Sequence, residues 1–294
     1  MHSCCLLSWI SFTITVVRTT FESSKGSDRE SQMSNKKRLL IIGGTGYLGQ
    51  HLLQCFSDFP KPFDFDLSMA FTHHSSPPPH LLLQYVPHAA HFQVNLQTGQ
   101  GFDSISHTFG QTDPTVAMSV NVPSSLVKWL SSFTKRETLL IHLSTDQDDE
   151  TLPVNVYGKS KVAAEEYIIA NWSNFAILRS SIIFGPQTIS PVSKSLPVQD
   201  VVNIIKILSN RWISDGKKLG LVLNVGGPDR ISRVQMAEVV ARVRGYNTSL
   251  IKPIDRGVKS PADISMDISK LIQTLDFTPT SFHEGVKLTI NSLT

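Results

Sequence analysis

The sequence has few cysteines and little net charge. Among its 294 residues the only cysteines are Cys4, Cys5 and Cys55, and their spacing matches neither a metal-binding motif nor a disulfide framework. We therefore expect a reducing compartment, the cytoplasm. The formal net charge is only +3, which argues against a nucleic-acid partner. The ten histidines are scattered along the chain, and we predict no metal site.

A hydrophobic run long enough to span a membrane is also lacking. Residues 4–17 are mostly apolar, but a transmembrane helix needs about 20 such residues. The run also lacks the preceding basic residues of a secretory signal, and Arg18 comes after it. We expect no membrane association. Residues 1–35 are interpreted as an appendage outside the fold, with a targeting peptide as the alternative.

The most informative segment is a glycine-rich turn between two apolar patterns. Residues 39–42 are apolar, Gly43, Gly46 and Gly49 follow, and apolar residues then recur at helical spacing. The pattern predicts a buried strand, a tight turn and a helix. Glycine lets a phosphate approach the backbone, and a helix N-terminus attracts it. The segment therefore predicts the pyrophosphate site of a Rossmann fold, with an ordinary glycine-rich turn as the alternative.

Strand and helix patterns alternate along the rest of the chain. Strands are predicted at 63–72, 90–96, 138–144, 175–183 and 221–225, and helices at 101–110, 157–170, 201–208, 233–244 and 281–292. Apolar residues recur at helical spacing over 116–133, but Pro123 interrupts them. The alternatives there are one helix, or a strand at 115–120 followed by a helix from residue 123. This order indicates an α/β fold, a Rossmann-type doubly wound parallel sheet. We assign residues 36–184 to an NAD(P)-binding domain. Residues 185–294 are assigned to a small substrate-binding region that also carries the last Rossmann elements.

The end of the second predicted strand bears on the choice of cofactor. An acidic residue there would bind the ribose 2′-hydroxyl of NAD and repel the 2′-phosphate of NADP. This sequence has Thr72, His73, His74 and Ser75 instead. The absence of an acid favours NADP, with NAD as the alternative. His73 is the candidate contact, although a plain surface role explains it equally well.

Two further motifs suggest an enzyme. Tyr157 and Lys161 are four residues apart and so lie on one face of a helix, where an ammonium lowers the pKa of a phenol. Such a tyrosine can exchange a proton with a carbonyl or alcohol oxygen. Ser144 and Thr145 follow a buried strand, at the sheet edge where ligands of α/β folds bind. Each motif alone is common, so the indication of an enzyme comes from their order along the chain after the glycine-rich turn.

In this order the motifs resemble the extended short-chain dehydrogenase/reductase family. Within it, the chain is most similar to the dTDP-4-dehydrorhamnose reductase-like branch, which includes the regulatory beta subunit of methionine adenosyltransferase. The stretches that carry the resemblance are GGTGYLG (43–49), HLSTD (142–146), NVYGKSKVAAEEY (155–167), ILRSSIIFGP (177–186), NVGGPDRISRVQMAEVV (224–240) and SPADISMDISKL (260–271).

The resemblance implies roles for these residues. Tyr157 is the general acid/base, Thr145 is the catalytic hydroxyl, and Lys161 holds the nicotinamide ribose and tunes Tyr157. Thr45, Tyr47 and Leu48 join the three glycines around the pyrophosphate. The expected activity is the NADP-dependent reduction of the keto group of a nucleotide-linked deoxysugar. The alternatives are a cofactor-binding regulatory subunit that partners a methionine adenosyltransferase catalytic subunit, or an inactive truncated isoform.

The sequence departs from the family pattern at three places. The fourth strand of the family is missing before Asp113, the loop between Asp146 and Pro153 is short, and a substrate-binding segment is lost after Leu196. We expect the missing strand to leave its two neighbours in the sheet unpaired, and to weaken the catalytic half of the site more than the adenosine half.

Overall fold

The computed structural model describes residues 13–17, 37–58, 67–109, 123–133, 138–145, 156–185, 197–253 and 265–291. Within these ranges a seven-stranded sheet has the order β4-β3-β2-β1-β5-β6-β7. Its strands are β1 (Thr13–Val17), β2 (Lys37–Ile41), β3 (Leu67–His73), β4 (Ala90–Gln93), β5 (Thr138–Thr145), β6 (Phe175–Ser180) and β7 (Gly220–Val225). Except for the pairs made by β1, all neighbouring strands are parallel.

The helices cover the sheet on both faces. They are α1 (Tyr47–Ser57), α2 (His80–Tyr85), α3 (Phe102–Phe109), α4 (Pro123–Ser131), α5 (Val156–Asn171), α6 (Pro197–Asp215), α7 (Arg233–Arg244), α8 (Ser269–Leu275) and α9 (Phe282–Asn291), with a short 3₁₀ turn at Thr248–Leu250. Every residue of β5 is buried, so both of its faces are packed. In the part of the chain that the structure describes, no helix is long and apolar enough to cross a bilayer.

The predicted doubly wound α/β sheet is confirmed, and most predicted elements are present. α7 begins after Ser232, whose hydroxyl and the side chain of Gln235 form a reciprocal capping box, and ends at Gly245 with a φ of 70°. α6 is longer than predicted because its buried positions continue at helical spacing to Trp212. α2 and α8 were not predicted. Residues 115–120, for which we weighed a strand, lie outside the described residues.

The N-terminal segment is the main correction to the sequence analysis. Residues 13–17, expected to lie outside the fold, form β1 in the middle of the sheet. β1 runs antiparallel to β2 on one side and to β5 on the other. The expected gap between these two strands is therefore filled. The prediction that the neighbours of the missing strand stay unpaired was wrong, because a distant segment with strong β-propensity supplies the hydrogen-bonding partners.

The C-terminal part of the chain is tied to the sheet by polar contacts. The Asp200 carboxylate of α6 accepts hydrogen bonds from the backbone N–H of Thr280, at 2.7 Å, and from its hydroxyl, at 3.1 Å. The Asp229 carboxylate accepts from the N–H of Phe282, at 2.6 Å. These contacts hold the start of α9 over the carboxyl ends of β6 and β7.

Candidate functional site

The glycine-rich turn after β2 is anchored on the end of β3. Gly43 has a φ of 79°, a conformation that favours glycine. Its N–H donates to the hydroxyl of Thr72, at 3.0 Å, and the N–H of Gly44 donates to the Thr72 carbonyl, at 2.9 Å. The N–H of Gly46 donates back to the Gly43 carbonyl, at 2.9 Å. Thr72 therefore fixes the path of the turn.

Two glycines allow the turn to pack closely. A Cβ on Gly49 would lie 2.4 Å from the Gly43 carbonyl oxygen, and one on Gly44 would lie 2.5 Å from the Cβ of Phe71. Helix α1 thus approaches the turn so closely that a side chain on Gly49 cannot be accommodated. This is the packing role that the third glycine has in a dinucleotide-binding turn.

The N-terminus of α1 is open to an anion. Its N-cap residue, Gly46, provides no side-chain cap, so the first amides of the helix are available to a ligand. Tyr47, Leu48 and Gly49 form its first turn. Leu48 is fully buried, so only its backbone is available to a ligand. Thr45 contributes its carbonyl to the turn by accepting from the Gln50 side-chain amide, at 2.7 Å.

Tyr47 reaches across to the other half of the sheet. Its ring contacts His51 edge to face, with the ring centroids 5.0 Å apart. Its hydroxyl lies close to Gly185, since a Cβ added to that glycine would be 2.8 Å from the hydroxyl oxygen. Gly185 follows β6, so this contact joins the glycine turn to the carboxyl end of β6. Burial raises the pKa of Tyr47 and keeps its phenol protonated.

His73 lies at the end of β3, beside His91 of β4. The two ring centroids are 5.6 Å apart. Burial, and in second place the neighbouring His91, lowers the pKa of His73 below its ordinary value of 6.5. At pH 7 the imidazole is therefore neutral and offers a hydrogen bond rather than a positive charge.

The second group of predicted residues surrounds the carboxyl end of β5. Ser144 and Thr145 end this strand and are both buried. Among the described residues, the Ser144 hydroxyl has no hydrogen-bond partner. Tyr157 and Lys161 lie one turn apart in α5, which packs on β5. The backbone of Tyr157 is helical as predicted, and its side chain lies outside the described residues.

Lys161 is the most perturbed titratable residue of this group. Its side chain is 1% exposed. Burial lowers its pKa from 10.5 to about 7, against the opposing effect of the Glu165 carboxylate. Near neutral pH the amine therefore exists in both protonation states.

The sequence analysis missed two residues that interact with Lys161, namely Glu165 and His142, and a third, Arg179, that binds Glu165. Glu165 is one turn further along α5 and is bound by Arg179 of β6 through a hydrogen-bonded salt bridge of 2.8 Å. His142 of β5 is fully buried, and burial together with Lys161 holds its pKa well below the ordinary value. The spacing of Glu165 from Lys161 could have suggested the first contact. No local pattern indicates the partners on β5 and β6.

The two groups face each other across β1. Ile14 of β1 pairs with Ile41 of β2 and also with Ile141 of β5, so these two residues are level in the sheet. The glycine turn begins two residues after Ile41, and Thr145 lies four residues after Ile141. With strands about 4.8 Å apart, β2 and β5 are separated by about 10 Å across β1, and both groups lie at the same edge of the sheet.

A cavity of about 90 Å³ lies beside this edge, between the ends of β6 and β7 and the start of α9. Its lining includes Ser181, Phe184, Gly226, Asp229 and Phe282. It is much smaller than the 300–1,000 Å³ of ordinary small-molecule pockets. Within the described residues it accommodates a small chemical group, not a whole nucleotide.

Comparison with known proteins agrees with this geometry. The family model described as RmlD substrate binding domain matches residues 111–207. Methionine adenosyltransferase 2 subunit beta of Mus musculus is 22% identical over 302 residues, covering 85% of this chain and 86% of that protein. The subunit of Danio rerio is 20% identical, over 84% of this chain and 87% of that protein.

Two solved structures share the fold. One is dTDP-glucose 4,6-dehydratase from Bacillus anthracis in complex with NAD, with a TM-score of 0.61, 16% identity, and coverage of 86% of this chain and 94% of that one. The other is UDP-glucose 4-epimerase from Thermotoga maritima with UDP-glucose, with a TM-score of 0.64, 15% identity, and coverage of 87% and 98%. Together these matches confirm that the chain resembles the extended short-chain dehydrogenase/reductases, in the branch of the RmlD-type reductases and the adenosyltransferase beta subunit.

Proposed function

We propose that the chain binds NADP at the glycine turn and reduces the keto group of a nucleotide-linked deoxysugar. One observation carries the proposal: the N-terminus of α1 is uncapped, and Gly49 in its first turn packs against the glycine turn with no space for a side chain. Such a surface attracts anions and lets them approach the backbone, and both properties suit the pyrophosphate of a dinucleotide. The backbone N–H groups of Tyr47, Leu48 and Gly49 would hold it.

NADP is preferred to NAD because no acidic side chain follows β3. His73 ends that strand, where an acid would repel a 2′-phosphate. His73 is neutral at pH 7 and becomes a cation only at lower pH. At pH 7 the preference for NADP over NAD therefore depends on the absence of an acidic side chain after β3 more than on a positive charge at His73. The dehydratase with the same fold was solved with NAD, so the preference needs a direct test.

Residues of this chain would supply the proton that the reduction requires. The bound dinucleotide supplies the hydride. Thr145 would donate a hydrogen bond to the substrate carbonyl oxygen, and Tyr157 would give its proton to that oxygen. The Lys161 amine favours the phenolate of Tyr157 only while the amine is protonated. Because the pKa of Lys161 is about 7, the protonated fraction of the amine decreases as the pH rises above 7. Activity is therefore expected to fall as the pH rises above 7.

The test combines a binding measurement with an activity measurement on the full chain. Calorimetric titration with NADPH and with NADH is expected to give a Kd about tenfold or more lower for NADPH. Turnover of dTDP-4-dehydrorhamnose is then followed by the loss of NADPH absorbance. Tyr157→Phe is expected to bind NADPH like the parent chain and to lose turnover. Failure of both dinucleotides to bind would refute the proposal and favour an inactive truncated isoform.

A second candidate is a cofactor-binding regulatory subunit. The observation that favours it is the similarity to methionine adenosyltransferase 2 subunit beta over 85% of this chain. The same experiment separates the two. NADPH binding without turnover, together with co-elution of the chain and a methionine adenosyltransferase catalytic subunit, would support the regulatory role. Turnover that depends on Tyr157 would support the reductase.

A further inference from the structure

The central strand of the sheet comes from an unusual part of the chain. β1 lies between β2 and β5 and is antiparallel to both, whereas every other strand pair in the described sheet is parallel. Val17 is level with Arg38, so the end of β1 and the start of β2 lie at the same edge of the sheet.

β1 is the strand that joins two halves of the sheet. In the part of the chain that the structure describes, β4-β3-β2 and β5-β6-β7 are hydrogen-bonded to each other only through β1. The first half carries the glycine turn, and the second carries Thr145 and Lys161. Helices α1 and α6 also pack together, so the halves keep side-chain contacts besides the backbone ladder.

The strands on both sides of β1 are deeply buried. Leu39, Leu40 and Ile41 of β2 are at most 2% exposed, and all of β5 is buried. With β1 in place these strands have almost no access to water, so their backbone groups depend on partners within the sheet. Without β1 the sheet would have two inner edges facing one groove, and an open edge accepts any extended segment that matches its register.

We propose that the groove between β2 and β5 is a strand-acceptor site, filled here by residues 13–17 and able to bind the same segment supplied as a separate peptide. The occupant has a defined chemistry. Residues Thr13–Val17, with the sequence TITVV, are uncharged and all β-branched, and such residues favour the extended conformation. Backbone hydrogen bonds to β2 on one side and to β5 on the other supply the affinity.

The first test opens the groove in the full chain. Thr15→Pro removes a ladder donor in the middle of β1 and blocks pairing, and Ser24→Pro in the joining segment is the matched control. A labelled peptide of residues 11–19 is expected to bind the Thr15→Pro variant and to raise its melting temperature. The parent chain and the Ser24→Pro variant are expected to bind it at least about tenfold more weakly, because their groove is occupied. Equal peptide binding by all three proteins would overturn the proposal.

If Thr15→Pro does not fold alone, refolding it with the peptide provides the same test. Recovery of a cooperative melt with the 11–19 peptide, and not with a peptide carrying proline at position 15, supports the site. No recovery with either peptide counts against it.

A second test leaves the sheet intact and measures register. Thr15 is paired with Leu140, and directly paired residues of antiparallel strands have Cα atoms within disulfide range. In a background with Cys4, Cys5 and Cys55 changed to serine, Thr15→Cys with Leu140→Cys is expected to form a disulfide on mild oxidation with diamide. Thr15→Cys with Leu143→Cys, on the opposite face of β5, is the control. Equal cross-linking of both pairs would contradict the placement of β1. Neither test uses a cofactor, so the result is independent of the proposed function.

Discussion

Arg179 binds both carboxylate oxygens of Glu165, one helical turn beyond Lys161. Its Nη2 is 2.8 Å from Oε2, and its Nε is 3.1 and 3.2 Å from the two oxygens. The Glu165 side chain is 6% exposed and that of Arg179 is 20% exposed. The pair ties α5 to β6, and its carboxylate is the charge that opposes the lowering of the Lys161 pKa.

Glu165→Gln is expected to destabilise the protein strongly. The change removes the carboxylate that binds the largely buried guanidinium of Arg179, and breaking a buried ion pair costs about 3 kcal/mol. Glu238→Gln is the matched control, because Glu238 forms an exposed pair of the same length, 2.8 Å, with Arg242. For Glu238→Gln the loss in the free energy of unfolding should stay below about 1 kcal/mol. Urea denaturation at pH 7 measures both, and equal losses would contradict the assigned difference in burial.

Lys161 is expected to make stability depend on pH. Its pKa is 10.5 in the unfolded chain and about 7 in the folded protein, so between these values the unfolded state binds more protons. The free energy of unfolding should then rise with pH from about 7, by at most about 1.4 kcal/mol per pH unit. Lys161→Met should flatten this slope.

The measurement is a series of urea denaturations between pH 7 and pH 8.5. The upper limit avoids Cys55, whose pKa is raised by burial and whose effect on stability has the opposite sign. Parent and variant curves with the same slope would show that Lys161 keeps an ordinary pKa in the folded protein.

Gly49→Ala is expected to abolish dinucleotide binding. The added methyl group would meet the Gly43 carbonyl oxygen at 2.4 Å, and this backbone atom cannot move without displacing the turn. Overpacking of this kind costs about 1–3 kcal/mol of stability. The control is Gly220→Ala, where an added Cβ meets no atom within 4 Å. NADPH titration and thermal melting of both variants check the prediction, which fails if Gly49→Ala retains the affinity of the parent.

Thr72→Val is expected to loosen the glycine turn. The substitution keeps the size of a buried side chain and removes the hydroxyl that accepts from the Gly43 N–H. A buried donor without an acceptor costs about 1–3 kcal/mol. Thr72→Ser keeps the hydroxyl and should lose much less, both in unfolding free energy and in NADPH affinity. A Thr72→Val protein as stable as Thr72→Ser would show that the turn does not depend on this bond.

Local patterns were enough to predict much of the fold. The strand before Gly43, helix α1 and the capping box of α7 are each specified by residues within one or two turns of each other. For the same reason the glycine turn could be predicted as a candidate cofactor site from the sequence. The predicted roles of Thr145, Tyr157 and Lys161 stay predictions.

Two of the missed features, the placement of β1 and the contact of Arg179 with Glu165, depend on residues far apart in sequence. β1 resembles any short β-branched run, and only the groove between β2 and β5 gives it a place in the sheet. The contact of Arg179 with Glu165 likewise joins a strand to a helix, and no spacing in the sequence predicts it. Sequence periodicity describes which residues are buried, but it does not identify the partner of a buried strand.

The position of β1 has a consequence for how the chain folds during synthesis. Ile14 pairs with Ile41 and with Ile141, so one side of the N-terminal strand can pair early, while the other must wait until β5 has been made. During that interval the pair of β1 and β2 presents an open edge, the kind of exposed backbone that promotes aggregation. Such distant pairing also slows folding in general. Translation speed and chaperone access between residues 42 and 138 therefore become determinants of the yield of folded protein.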